Sequence, residues 1–116
     1  EPLFFSTSNA GGAAPAMAKN EMKLLDGNDV AALKRCDVII SCQGGDYTSA
    51  VFPKLRAAGW NGHWIDAAST LRMQDDAVII LDPVNRPVID AALAKGGRNW
   101  IGGNCTVSCM LMGVGA

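Results

Sequence analysis

Arg98-Asn99-Trp100-Ile101-Gly102-Gly103-Asn104-Cys105-Thr106-Val107-Ser108 runs from one apolar segment, through a glycine pair, into a second. Arg98 to Ile101 reads as a strand, and Thr106 to Val114, rich in Met, Leu and Val, reads as a helix. Cys105 therefore falls at a strand-to-helix turn. Glycines there let the backbone approach a ligand closely, and the unbonded N–H groups of a first helical turn, with the helix dipole, favour an anion. A thiolate is such an anion and is the reactive form of cysteine, so the pattern is the one expected of a covalent nucleophile.

Outward from this turn, strand-then-helix alternation recurs. Pro2-Leu3-Phe4-Phe5 reads as a strand, and Asp29 to Lys34 as a short amphipathic helix with Asn28 as its N-cap. Asp37-Val38-Ile39-Ile40-Ser41 is a continuous apolar strand ended by Gly44-Gly45. A helix over Tyr47 to Ala58 puts Val51, Leu55 and Ala58 on one face; Pro53 fits near its first turn, and Gly59 stops it. Strands at Gly62 to Asp66 and Ala77 to Leu81 and a helix over Pro87 to Lys95, closed by Gly96-Gly97, complete the series. The Ala/Gly-rich stretch Asn9 to Asn20 reads as an exposed loop. Apolar strands alternating with amphipathic helices predict an α/β fold, a doubly wound, mainly parallel sheet covered on both faces, as in nucleotide-binding domains. Ligands in such a sheet sit beyond the carboxyl ends of the strands. The loops to examine are therefore Ser6-Thr7-Ser8, Ser41 to Asp46, Ala68 to Arg72 and the cysteine turn.

Composition narrows the class. The 116 residues are 49% hydrophobic with a formal net charge of −1, which suits a soluble globular unit with a buried core. Ten basic and eleven acidic residues without a basic run offer no footprint for a phosphate backbone, so no nucleic-acid partner is expected. No apolar run reaches the roughly 20 residues that span a bilayer, and no signal peptide opens the chain. The four cysteines, at 36, 42, 105 and 109, lie in strand and helix settings, not in a loop-rich secreted scaffold, so a reducing, cytoplasmic setting is expected. The chain opens within a strand already under way and stops early in its last helix, which reads as a fragment of a larger protein.

Five blocks in order, Phe4-Phe5-Ser6-Thr7-Ser8, Cys42-Gln43-Gly44-Gly45-Asp46-Tyr47-Thr48, Trp64 to Met73, Leu81-Asp82-Pro83-Val84-Asn85 and Gly102-Gly103-Asn104-Cys105-Thr106-Val107-Ser108, resemble successive blocks of the aspartate-β-semialdehyde dehydrogenase family in its Gram-negative bacterial form. The resemblance spans essentially the whole chain. His63 stands where the family usually has an aromatic residue, and Cys109 where it often has Leu. The resemblance implies a Rossmann-type NAD(P)-binding domain over residues 1–104 and, over 105–116, the nucleophile helix that begins a catalytic and dimerisation domain. It implies reversible reductive dephosphorylation of L-aspartyl-4-phosphate to L-aspartate-4-semialdehyde, on the way to lysine, diaminopimelate, threonine and methionine. By the same resemblance Cys105 forms a thioester, Asn104 helps stabilise the oxyanion, Arg72 binds phosphate, and Thr7, Ser8 and Gln43 contact the cofactor. An Arg suits phosphate because its planar fork matches two oxygens and stays charged.

Cofactor choice can be argued from the residues as well. An NAD enzyme commonly places a carboxylate after the relevant strand to hold the ribose hydroxyls, and that carboxylate would repel a 2′-phosphate. Ser6-Thr7-Ser8 offers hydroxyls instead, which predicts NADP. The family's first strand and Gly-rich turn, its histidine acid/base, an arginine for the substrate carboxylate and most of a homodimer interface are not in this sequence, so the segment alone is expected to be inactive. His63, at the start of a strand, reads as a packing or surface residue, Cys36, Cys42 and Cys109 as small buried hydrophobes, and Asp82 and Asn85 as turn formers. Three other functions compete. A related acyl-phosphate reductase would share the Cys chemistry, and a noncatalytic nucleotide-binding domain would share the fold. A thiol or zinc module would need a paired C-x-x-C and a second histidine, and no metal is expected.

Overall fold

The computed structural model describes residues 2–19 and 23–115 and divides into two compact units, residues 1–36 and 37–116. Glu1, Asn20 and Ala116, which bound the expected domains and the expected loop, lie outside the described residues.

In the first unit β1 (Phe5–Ser6) and β2 (Leu25–Asp26) pair in parallel, Phe5 with Leu25 and Ser6 with Asp26. β2 has no counterpart in the sequence pattern, because two residues are too few to show a period. The expected loop is partly built into this unit, with an isolated antiparallel bridge between Ala13 and Lys23 and a buried Ala18. Helix α1 (Val30–Leu33) is capped by Asp29, not Asn28. Asp29 has extended backbone and its Oδ1 accepts from Ala32 N at 3.3 Å. Asn28 is instead inside a turn, its own N–H donating to Asp26 Oδ1 at 2.9 Å.

In the second unit four strands, β3 (Val38–Ser41), β4 (His63–Asp66), β5 (Ala77–Ile80) and β6 (Asn99–Gly102), form one parallel sheet in the order β3-β4-β6-β5. Parallel partners share a face, so the register Ser41↔Asp66↔Ile101 puts those three on one side with Ile39, Trp64 and Asn99. Helix α2 (Gly45–Ala57) packs on that side through Phe52, whose ring meets Trp64 edge-on at 5.3 Å, and Thr48. Val51, Leu55, Trp60, Trp64 and Ile101 are buried. Each such side chain contributes about 1.5–3 kcal/mol by leaving water. On the opposite face Trp100 is buried, while along the edge strand β3 Val38 is 48% and Ile40 70% exposed.

Two features of α2 depart from the expected helix. It begins at Gly45, two residues early, because Gly44 holds φ +99° and turns the chain directly off β3. Pro53 lies well inside it, not near the first turn. The carbonyl that loses a donor to Pro53 belongs to Ser49, an exposed residue, so the proline leaves no buried residue's carbonyl without its helical partner. Gly59 does end the helix, at φ +87°, with Gly59 N bonding Arg56 O and Trp60 N bonding Leu55 O at 3.1 Å each. Helix α3 (Arg86–Ala94) ends in the same way at Gly96 and Gly97. Asn85 closes the turn before α3, accepting from Leu81 N at 2.8 Å and donating to Ile79 O at 2.6 Å.

Beneath the sheet, at the amino ends of the strands, Arg56 donates to Trp60 O, Gly62 O and Asn99 Oδ1, and its guanidinium lies 4.7 Å from the Trp60 ring. Burial pulls its pKa down, opposed by Asp76, which accepts from Asn99. Helix α4 (Cys105–Gly115) has no buried residue, and Val107, Met110, Leu111, Met112 and Val114 are exposed. Among the described residues no helix is long and apolar enough to cross a membrane.

Candidate active site

Because β3, β4, β5 and β6 are parallel, their carboxyl ends share one edge of the sheet, and the loops that carry Gln43, Arg72 and Asn104-Cys105 all leave from it. β4 and β6 are neighbours, so the arginine loop and the cysteine turn are adjacent.

Cys105 is the first residue of α4 and is exposed, its Sγ 4.0 Å from Thr106 Oγ1. Asn104 caps the helix: its Oδ1 accepts from Val107 N at 3.1 Å and its carbonyl from Ser108 N at 2.8 Å. That fixes the amide and leaves its NH2 end as the donor for a charge that develops beside the sulfur. At Gly103 a Cβ would lie 2.6 Å from Ser108 Oγ, so the first turn of α4 folds back close over this glycine and a side chain there would make the Ser108 hydroxyl rotate away.

Arg72 follows the loop after β4. Its Nε donates to Gly102 O at 2.8 Å, the last residue of β6. A guanidinium tethered through Nε keeps its two terminal nitrogens for a bidentate anion, and its tether point, Gly102, lies three residues before Cys105 along the chain. The loop itself is held by Asp66, which is buried, accepting from Ala68 N at 2.9 Å. Sequence reasoning does not single out Asp66 or its partner Thr48. The available signal is a carboxyl inside an apolar strand, Trp64-Ile65-Asp66, since a buried carboxyl requires bonded partners.

The loop Cys42-Gln43-Gly44 is exposed. Gly44, the N-cap of α2, has no side chain to bond the first turn of that helix. A Cβ on Gly45 would stand 2.7 Å from Thr70 Oγ1, which shows how closely the two loops approach. Such a glycine-lined helix start fits the phosphates of a dinucleotide. Within the first unit Thr7 and Ser8 follow β1 and are exposed. The carboxyl nearest to them in that unit's sheet, Asp26 on β2, is turned to Asn28 N.

His63 begins β4, at the edge of the sheet opposite Cys105. Its Nδ1 accepts from Trp100 Nε1 at 2.9 Å, and its ring stacks on Trp100 at 6.0 Å. Cys42 and Cys109 are exposed and Cys36 half-buried, so the expectation of small buried hydrophobes fails for them. Cys42 lies just past β3, and Cys109 is on α4, which has no buried residue. Among the described residues no group of three or more His, Cys, Asp or Glu is placed to hold a metal.

A parallel α/β sheet whose carboxyl edge carries these loops is a Rossmann-type nucleotide-binding domain. Residues 1–92 match the family described as semialdehyde dehydrogenase, NAD binding domain, and the chain belongs to that family. A solved aspartate semialdehyde dehydrogenase from Francisella tularensis is similar at 46% identity and a TM-score of 0.87, over 94% of this chain. The chain spans 30% of the length of that relative.

Proposed function

We propose that this chain supplies the cofactor-binding domain and the nucleophile of an enzyme that interconverts L-aspartyl-4-phosphate and L-aspartate-4-semialdehyde with NADP. The observation that carries the reading is Cys105 as the exposed first residue of an Asn-capped helix, beside an arginine tethered to the same strand end.

In the reductive direction the Cys105 thiolate attacks the acyl carbon of the acyl phosphate, a mixed anhydride. The C–O bond breaks, inorganic phosphate leaves with the electron pair against Arg72, and a thioester remains on Sγ. Asn104 and the N–H groups beside Cys105 stabilise the tetrahedral oxyanion that precedes it. Bound nicotinamide supplies the two electrons that separate thioester from aldehyde. The cysteine then departs as a thiolate, which the start of α4 favours. In the opposite direction the thiolate adds to the aldehyde, and phosphate later takes the acyl group.

Thr7, Ser8 and Gln43 hold the cofactor in this reading. Hydroxyls in place of a carboxylate after β1, with Asp26 turned to its own loop, support NADP over NAD. The family match and the similarity to the Francisella aspartate semialdehyde dehydrogenase support the reaction class. Homodimer formation, a cytoplasmic setting and a place in lysine, threonine and methionine synthesis accompany the same reading.

The test uses the complete polypeptide with aspartate semialdehyde and phosphate. It should reduce NADP with a kcat/KM at least about tenfold above that for NAD. Quenched in mid-turnover without phosphate, it should carry an acyl adduct on Cys105 by peptide mass spectrometry. An adduct elsewhere, or none, contradicts the nucleophile; equal use of both cofactors contradicts the selectivity.

A further inference from the structure

Among the described residues, Asp66 is the one buried carboxyl at the carboxyl edge of the sheet, and the proposed chemistry does not use it. It is 1% exposed at the end of β4. Its Oδ2 accepts from Thr48 Oγ1 at 2.5 Å and from Trp64 Nε1 at 3.1 Å. Its Oδ1 is thereby aimed at Ala68 N, 2.9 Å away. The preceding N–H, of Ala67, donates to Ser41 O at 3.2 Å, so both amides that begin the loop are fixed. Four residues on, Arg72 N closes a turn on Ser69 O at 3.0 Å, and Arg72 Nε reaches Gly102 O. Thr48 N donates to Gly44 O at 3.2 Å, so the residue that holds this carboxyl is itself fixed to the cap of α2.

We infer that Asp66 is a positioning residue: through Ala68 N it sets the loop that aims Arg72 at its anion. The inference rests on the phosphate role proposed above for Arg72. Burying a carboxyl is costly, and a single acceptor for the loop would not need one, whereas a charged group holding two side-chain donors and a backbone N–H locks all three in one geometry. Asn at this position keeps the bond to Ala68 N but turns an NH2 toward Trp64 Nε1–H, two donors face to face, so the side chain must rotate or shift.

The experiment reads protection of Cys105 from iodoacetamide by inorganic phosphate in the complete polypeptide, which needs no turnover. In Asp66→Asn the half-protecting phosphate concentration should rise about tenfold, the scale of one lost hydrogen bond to a charged group, with the alkylation rate in the absence of phosphate near wild type. Thr48→Val, which removes one donor and leaves the other contacts, should shift it the same way by about twofold to threefold. If Asp66→Asn does not fold, Thr48→Val decides. Unshifted protection overturns the inference, and so does a change in the phosphate-free rate that accounts for the whole effect, since that would be general loosening. Arg72→Leu should abolish protection. A wild-type protein that phosphate does not protect refutes the Arg72 reading itself, a result distinct from protection that is present but indifferent to Asp66.

Discussion

Asn104 combines two demands that a single substitution can separate. Its Oδ1 holds Val107 N at the start of α4, while its NH2 is the part that can meet an oxyanion. Asp caps a helix as well as Asn but presents no N–H. Asn104→Asp should therefore leave stability within about 0.5 kcal/mol of wild type, while kcat in the complete enzyme falls about 100-fold or more. Melting and steady-state kinetics on the same preparation check both; an unchanged kcat would show that the amide is only a cap. At this scale the sequence is readable where chemistry sits on local pattern. Cys105 and Arg72 lie where strand ends and turns put them. Asp66 is not readable, because its meaning comes from Thr48, eighteen positions away, and from burial that only the packed sheet creates.

The elements follow from simple rules where the local signal is strong. β3, β4, β5 and β6 are apolar runs bounded by polar or glycine residues, and Gly59 and Gly96 end their helices as expected. The misplaced features are those in which a neighbour outweighs propensity. Asp26 occupies the N–H of Asn28, so the cap moves to Asp29. Pro53 is carried inside α2 because Val51, Phe52 and Leu55 around it are buried and hold the helix on the sheet. Leu55, 0% exposed, is the most direct check on that packing. Leu55→Ala should cost about 2–5 kcal/mol of unfolding free energy, measured by denaturant titration. A loss under about 1 kcal/mol would mean that α2 is not fastened to this face.

For the whole molecule, the decisive feature is apolar surface. Val107, Met110, Leu111, Met112 and Val114 on α4 are exposed, and so is Ile40 on β3; apolar surface of this kind favours association. The segment 1–116 studied alone should self-associate, with sedimentation that shifts to larger species as concentration rises, and should show no measurable NADP reduction. A strictly monomeric segment at high concentration would contradict the first expectation, and turnover the second. Parallel order was legible from alternation. The strand order β3-β4-β6-β5 and the exposure of Val38 and Ile40 on β3 were not, because both depend on which elements meet across long sequence distances. The most direct test of the account is kcat for Cys105→Ala in the complete enzyme, purified beside wild type and shown by its melting curve to be folded. The account predicts a fall of at least about 10⁴-fold, to the limit of detection, with NADP still bound. Activity near wild type in that variant would contradict it.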